Sequence, residues 1–301
     1  MIKSAISYSV EMPSLDEMRK FIDKAELNVT RPSAQQMSTF GFDIHPVTRE
    51  LVSSFEGGYC LTFKKYEKKI KPAALREVLN AKYQNFEAEL GRPLKQKEKA
   101  SIKEDTIIDL LPNILPEPKV VFGYFDIKSK TLVIDTTEAK MADMATSLLR
   151  KCFGSLKATT LYIDASAGLT ERLADFMYAA APNAPFIPGL VLGGVLELKH
   201  PVEGEVKYKD MNLTEDGTSV EIVDMIRDTH MYVKTIRLGT QNHTWFDLTD
   251  GFKMKGIKYD YESDTSVPKH ETWQSDTWYS MNQIVSILGH ITKTFEVITE
   301  G

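Results

Sequence analysis

Residues 72–111 read PAALREVLNAKYQNFEAELGRPLKQKEKASIKEDTIIDLL. Pro72 suits the first turn of a helix, where its missing amide leaves nothing unsatisfied. Leu75, Val78, Leu79, Phe86 and Leu90 then recur at helical spacing, with charged residues on the other face. Gly91-Arg92-Pro93 breaks the pattern, and a second helix is expected from about Lys95 to Leu111, stopping before Pro112. Two such helices joined by a tight turn make an αα-hairpin, roughly 25–30 Å long at ~1.5 Å per residue. Its apolar stripe is narrow, so the hairpin is expected to project from a body.

The charge pattern sharpens this. The chain of 301 residues has 37 Lys and Arg against 42 Asp and Glu, a net charge of −5. From Lys64 to Lys103 there are twelve basic residues: Lys64, Lys65, Lys68, Lys69, Lys71, Arg76, Lys82, Arg92, Lys95, Lys97, Lys99 and Lys103. Five acids, Glu67, Glu77, Glu87, Glu89 and Glu98, offset them, so the stretch carries +7 and the remainder −12. Such asymmetry points to a polyanion-binding element, and the plainer alternative is a solvated helical surface.

Ile2 to Val10 reads as a strand, and Ser14-Leu15-Asp16-Glu17 as a capping box opening a helix to about Ala25. Thr39 to Ile44 and Tyr59 to Lys65 read as strands. A β-hairpin follows Pro118, with Val120, Phe122, Tyr124 and Ile127 before Lys128-Ser129-Lys130 and Leu132, Val133 and Ile134 after it. Glu138 to Phe153 is an amphipathic helix closed by Gly154. Thr159 to Ile163 reads as a strand and Leu169 to Tyr178 as a helix. The Pro- and Gly-spaced stretch 182–189 suggests a linker. Leu190 to Leu198, Glu205 to Leu213, Met231 to Leu238, Thr244 to Leu248 and Phe252 to Tyr259 form a second set of strands, with helices at Ser219 to Arg227 and Thr277 to Phe295. The expected fold class is α+β, with two mainly antiparallel sheets, flanking helices and the helical hairpin. The expected division is a body of 1–71 and 116–185, a finger of 72–115 and a C-terminal α+β region of 186–301.

No apolar run approaches the ~20 residues that span a bilayer, and 1–10 is too short and polar for a signal peptide, so a cytoplasmic protein is expected. Cys60 and Cys152 are too few for a disulfide framework or a cysteine-rich zinc site. No phosphate-binding loop, HExxH or Gly-x-Ser-x-Gly occurs, and the six histidines lack metal-ligand spacing. Gly193-Gly194, inside an apolar strand, is expected to permit close backbone approach. A metal-dependent nuclease would need converging carboxylates; Asp126, Asp135 and Asp164, at strand ends, are the candidates, and turn or cap roles are the commoner fate of such residues.

From Lys68 to Leu156 the sequence resembles the RdgC family of recombination-associated DNA-binding proteins. The resemblance is carried by Glu67-Lys68-Lys69-Ile70, Val78-Leu79-Asn80-Ala81-Lys82, and Glu87-Ala88-Glu89-Leu90-Gly91-Arg92-Pro93-Leu94-Lys95. It continues through Glu98-Lys99, Ile102-Lys103-Glu104-Asp105, Leu110-Leu111-Pro112, Ile134-Asp135, Leu148-Leu149-Arg150-Lys151 and Gly154-Ser155-Leu156. Gly41-Phe42 stands where the family usually has Gly-Trp, and Leu213-Thr214 follows a basic stretch reduced here to Lys207 and Lys209.

The resemblance implies a toroidal homodimer that encloses double-stranded DNA, binds it without sequence specificity and restrains RecA-dependent strand exchange in the nucleoid. It maps the family's projecting finger onto the predicted hairpin and the finger-to-finger contact onto Ile114 and Leu115. The DNA-binding set it suggests, with the charge pattern, is Lys68, Lys69, Lys71, Arg76, Lys82, Arg92, Lys95, Lys97, Lys99, Lys103, Lys207 and Lys209. No catalytic residue, metal or cofactor is expected. Two alternatives stand beside this reading: a Mg-dependent exonuclease, which is also how the family is often labelled, and a module that docks on the recombinase without DNA.

Overall fold

Ser14 opens the first helix as expected. Its hydroxyl accepts from the Glu17 amide, and the Glu17 carboxylate accepts from the Ser14 amide at 3.0 Å. In the computed structural model, which describes residues 1–23, 25–160, 165–179, 185–261 and 266–295, β1 (Ile6–Ser9) precedes this helix, α1 (Leu15–Ile22). β2 (Ser38–Asp43), β3 (Val52–Phe55) and the long β4 (Gly58–Glu67) follow. The predicted hairpin is present as α2 (Pro72–Leu90) and α3 (Gln96–Leu110). Then come β5 (Glu117–Asp126), β6 (Thr131–Ile134), α4 (Ala139–Phe153), β7 (Thr159–Thr160) and α5 (Ala165–Tyr178).

The C-terminal part contains β8 (Leu190–Lys199), β9 (Glu205–Lys209), α6 (Asp216–Arg227), β10 (Tyr232–Thr240), β11 (Trp245–Thr249), β12 (Met254–Lys258) and α7 (Lys269–Thr294). The fold is α+β with two antiparallel sheets. One has seven strands in the order β2-β4-β5-β6-β1-β7, with β3 on β4; the other has five in the order β12-β11-β10-β8-β9. No described helix is long and apolar enough to cross a membrane.

The chain divides into two compact units. One comprises Met1–Asp23, Ile44–Thr62 and Val121–Gly301, and the other Lys24–Asp43 and Phe63–Val120. In the first, α5, α6 and α7 bury Leu169, Leu173, Ile222, Ile284, Ile287 and Ile291 with Leu196, Leu198, Val233, Ile236 and Leu238 from one face of the five-stranded sheet. In the second, Phe42 and Phe63 pack 5.4 Å apart, while α2 and α3 bury little: only Leu79 and Thr106 are fully covered along the two helices. Gly91 ends α2 in the left-handed region at φ 64°, where a side chain would be strained.

Several boundaries differ from the sequence reading, for local reasons. β9 stops at Lys209 rather than Leu213 because Asp210 adopts φ 52°, which turns the chain out of the ladder. β12 begins at Met254 because Phe252 likewise has φ 52°. α7 begins eight residues before Thr277; its first turns are polar apart from buried Trp273, so no apolar period announces them. β1 is shorter than expected, α1 ends at Ile22, α6 begins three residues before Ser219, and β3 carried too little alternation to be read. Residues 161–163 of the strand expected after Thr159, and 182–184 of the expected linker, lie outside the described residues. Gly194 behaves as expected: a Cβ there would meet the Met211 carbonyl oxygen at 2.7 Å.

Candidate nucleic-acid interface

The hairpin cations divide into groups that differ in availability. Lys68 is buried, and its ammonium donates to the carbonyls of Ser33 and Ala34 at 2.8 and 2.9 Å. It holds a neighbouring loop, so the structure removes it from any surface set. Sequence alone treats lysine as exposed, and only the fold shows two carbonyls converging on this one. Lys69 pairs with Glu117 at 2.8 Å and Lys82 with Asp109 at 2.9 Å. Arg92 is held by Glu98, and Lys99 lies 3.8 Å from Glu87 and over the Tyr83 ring. Lys71, Arg76, Lys97 and Lys103 are exposed and without an ion-pair partner among the described residues. Lys99 and Lys103, spaced by four, share one face of α3, and Lys95 caps its start.

The charge surplus read from the sequence depends on where the window ends. Residues 72–110, the two helices and their turn, contain seven basic residues and seven acidic ones, because Glu104, Asp105 and Asp109 complete α3. The hairpin is therefore electrically balanced, and the surplus of the wider stretch lies before Pro72. There Lys68 is buried, Lys64 pairs with Asp43 and Lys65 with Glu67.

A clearer basic surface lies on the five-stranded sheet, on the face turned away from its helices. Directly paired residues of neighbouring strands share a face. The register Lys199↔Glu205, Glu197↔Lys207 and Val195↔Lys209, with Arg237↔Asp247, Asp247↔Lys255 and Trp245↔Lys258, therefore assembles one charged layer. It holds seven basic residues (Lys199, Lys207, Lys209, Lys234, Arg237, Lys255 and Lys258) against Glu197, Glu205 and Asp247.

Every acid in that layer is engaged. Lys207 reaches Glu197 at 3.0 Å and Glu205 at 3.6 Å, Lys234 reaches Glu205 at 2.6 Å, and Arg237 forks onto Asp247 at 2.7 and 3.1 Å. The hydrogen bond from Lys234 pulls the Glu205 carboxyl below its ordinary range, and the one that Arg237 donates to Asp247 raises Arg237. Lys199, Lys209, Lys255 and Lys258 have no ion-pair partner among the described residues. Asp210 and Asp250, at strand ends, also act on Arg237 and Lys234. On this face Trp245 lies on Gly239, where a Cβ would meet the ring at 2.6 Å, and beside Gly193. With strands ~4.8 Å apart, the five span about 19 Å.

Of this layer the sequence reading included only Lys207 and Lys209. Charge density along the chain does not reveal the others, because the layer is assembled across strands by register. Polar residues alternating with Leu196, Leu198, Val233 and Leu238 were the available signal.

The description "Putative exonuclease, RdgC" belongs to the family whose sequence profile matches residues 1–296 of this chain. The chain belongs to the RdgC family. The recombination-associated protein RdgC of Tolumonas auensis is 31% identical over 235 residues, covering 76% of this chain and 74% of that protein. That of Proteus mirabilis is 28% identical over 251 residues, covering 82% and 78%. That of Pseudoalteromonas translucida is 28% identical over 263 residues, covering 83% and 82%.

In this RdgC-family chain two of the candidate nuclease carboxylates, Asp126 and Asp135, do not converge. Asp126 accepts from the Ser129 amide and hydroxyl, both at 2.7 Å, and so closes the β5–β6 turn. Asp135 lies at the far end of β6, where its own amide donates to the Phe122 carbonyl. Phe122 and Asp126 are four residues apart on β5, which separates the two aspartates by about 13 Å at ~3.3 Å per residue. The Asp135 carboxylate instead accepts from the Ser4 amide at 2.8 Å and, more weakly, from Lys3. Burial raises its pKa. Asp164 lies outside the described residues. Among the described residues no group of three or more His, Cys, Asp or Glu could hold a metal. Cys60 is buried, and burial pushes its thiol up, which suits a core residue. Ile114 is half-buried, while Leu115 is 87% exposed, an uncovered apolar side chain just past α3.

Proposed function

We propose that this chain binds double-stranded DNA without sequence specificity and modulates RecA-dependent recombination. The observation that carries the reading is the lysine- and arginine-rich face of the five-stranded sheet, with four cations left over after its three carboxylates are paired. Cations on a sheet face meet phosphates but bring no helix or ribbon to a major groove, which favours sequence-independent binding. Lys71, Arg76, Lys97 and Lys103 are further candidates on the hairpin. The relatives' name, recombination-associated protein, supports the recombination role.

The ring-shaped homodimer belongs to the same proposal, with Leu115 as an apolar contact between fingers and the nucleoid as the place of action. Dissociation of a closed ring would be slow without extra contacts.

A salt series on linear and on closed circular duplex tests both parts. Affinity should fall steeply with salt, by a log–log slope of about −0.9 for each phosphate neutralised. Replacing Lys209, Lys255 and Lys258 by alanine should make that slope shallower by about one for each phosphate that is then left without its cation. A slope near zero, or a triple variant that binds like the parent, would sink the sheet-face reading. Equal loading on linear and circular duplex would sink the ring.

A further inference from the structure

α5 and α7 pack on the side of the five-stranded sheet away from the lysine face, and their residues line a cleft of about 270 Å³. Its lining among the described residues is Arg172, Pro188, His290, Lys293 and Thr294, with no carboxylate. Arg172 Nε donates to the Phe186 carbonyl at 2.7 Å, which pins the guanidinium and leaves its two terminal nitrogens without a partner among the described residues. A fork held in this way loses little freedom on meeting a tetrahedral oxyanion. His290 and Lys293, three residues apart, share one face of the last turns of α7. The His290 ring sits so close to Gly189, at φ 83°, that a Cβ there would meet it at 2.3 Å. Thr294 donates its hydroxyl proton to the His290 carbonyl at 2.8 Å, so Arg172, His290 and Lys293 are the donors that face the cleft.

A second cleft of about 450 Å³ shares Arg172 and Thr294 with the first. Phe176, Phe186 and Phe295 supply its apolar wall, and its acceptors are Glu171 and Asp175, whose Oδ1 also lies 3.5 Å from Arg227. We infer that the two clefts together form a nucleotide site, taking a phosphate monoester at Arg172, His290 and Lys293 and the attached base against the phenylalanines.

The carboxylates suit the exocyclic amine of adenine, cytosine or guanine. The negative end of α7 by itself favours His290 and Lys293 where they are, but it does not account for Arg172, which comes from another helix. A free nucleotide and the 5′-phosphorylated end of a DNA strand share this chemistry.

Calorimetric titration at fixed ionic strength with deoxyadenosine monophosphate and with deoxyadenosine tests the site. The monophosphate should bind about tenfold or more tightly than the nucleoside, as charge-assisted hydrogen bonds to its phosphate require. Lys293→Glu, an exposed change compatible with folding, and Arg172→Lys, which keeps the charge but loses the fork, should each erase that preference. Duplex affinity in the salt series should stay as in the parent, which separates this site from the sheet face. Tighter binding of duplex ends carrying a 5′-phosphate, lost in Lys293→Glu, would identify the source as DNA ends; a response to the free nucleotide alone would identify the free pool. Equal binding of nucleotide and nucleoside, or a preference that survives Lys293→Glu, overturns the inference.

Discussion

Arg92 donates from both terminal nitrogens to Glu98, at 2.7 and 3.0 Å, while the same carboxylate accepts from the Lys95 amide at 2.7 Å. A residue that reads in the sequence as a cation at the tip of a DNA-binding finger is, in the fold, half of a clasp closing the α2–α3 turn. Glu87 completes it by accepting from the Leu94 amide at 2.9 Å.

The clasp predicts a pH dependence. The hydrogen bond from Arg92 holds the Glu98 carboxyl down at about 2. A depressed carboxylate stabilises above its unfolded value and loses that contribution as pH falls through the folded one. Protection of the Lys95 amide from hydrogen exchange should therefore persist at pH 3.5 and fade only as the pH approaches about 2. Glu98→Gln should lose the protection at neutral pH, measured by exchange with NMR or mass-spectrometric readout. Unchanged protection in that variant would remove the clasp.

His45 carries a dependence of the same sign in a higher pH window. Its Nδ1 accepts from the amides of Val47 and Thr48, both at 3.2 Å, and its ring packs 4.7 Å from Trp273 and 5.2 Å from Phe122. Burial lowers its pKa to about 4. The unfolded chain takes up the proton near 6.5, so stability is complete above that and is lost as pH falls toward about 4, by roughly 3 kcal/mol. His45→Asn should flatten this part of the profile in denaturant titrations at pH 7, 6 and 5, even though its packing loss lowers stability at pH 7.

Lys68 separates stability from binding. Lys68→Ala leaves the Ser33 and Ala34 carbonyls without their donor and should destabilise by about 1–3 kcal/mol in chemical denaturation. The salt slope of duplex binding should stay at the parent value, because a buried ammonium neutralises no phosphate.

Gly239 tests the floor of the charged face. Gly239→Ala drives a methyl into the Trp245 ring, at 2.6 Å as built, so the indole has to lift. About 1–3 kcal/mol of destabilisation is expected, with a shift in tryptophan emission. Parent-like fluorescence and stability would mean that the ring does not lie on this glycine.

Much of the architecture is legible in the sequence because it is local. Pro72, Gly91 and the apolar period specify the hairpin within 40 residues, and the Ser14–Glu17 box opens α1 with two local hydrogen bonds. The strands after Leu190 are likewise legible from alternation, although Asp210 and Phe252 end or delay them through backbone angles that composition does not reveal.

The distribution of usable charge is a different kind of property. In the sequence −5 divides into a basic stretch and an acidic remainder, but a charge acts through its neighbours in space. Only the tertiary structure buries Lys68, couples Arg92 to Glu98, and brings Lys209, Lys199, Lys255 and Lys258 from several strands onto one sheet face. Helical periodicity repeats within a few residues and can be read along the chain. In the five-stranded sheet strand register joins residues as far apart as Leu190 and Thr240, and a one-residue slip would turn each of these lysines to the opposite face.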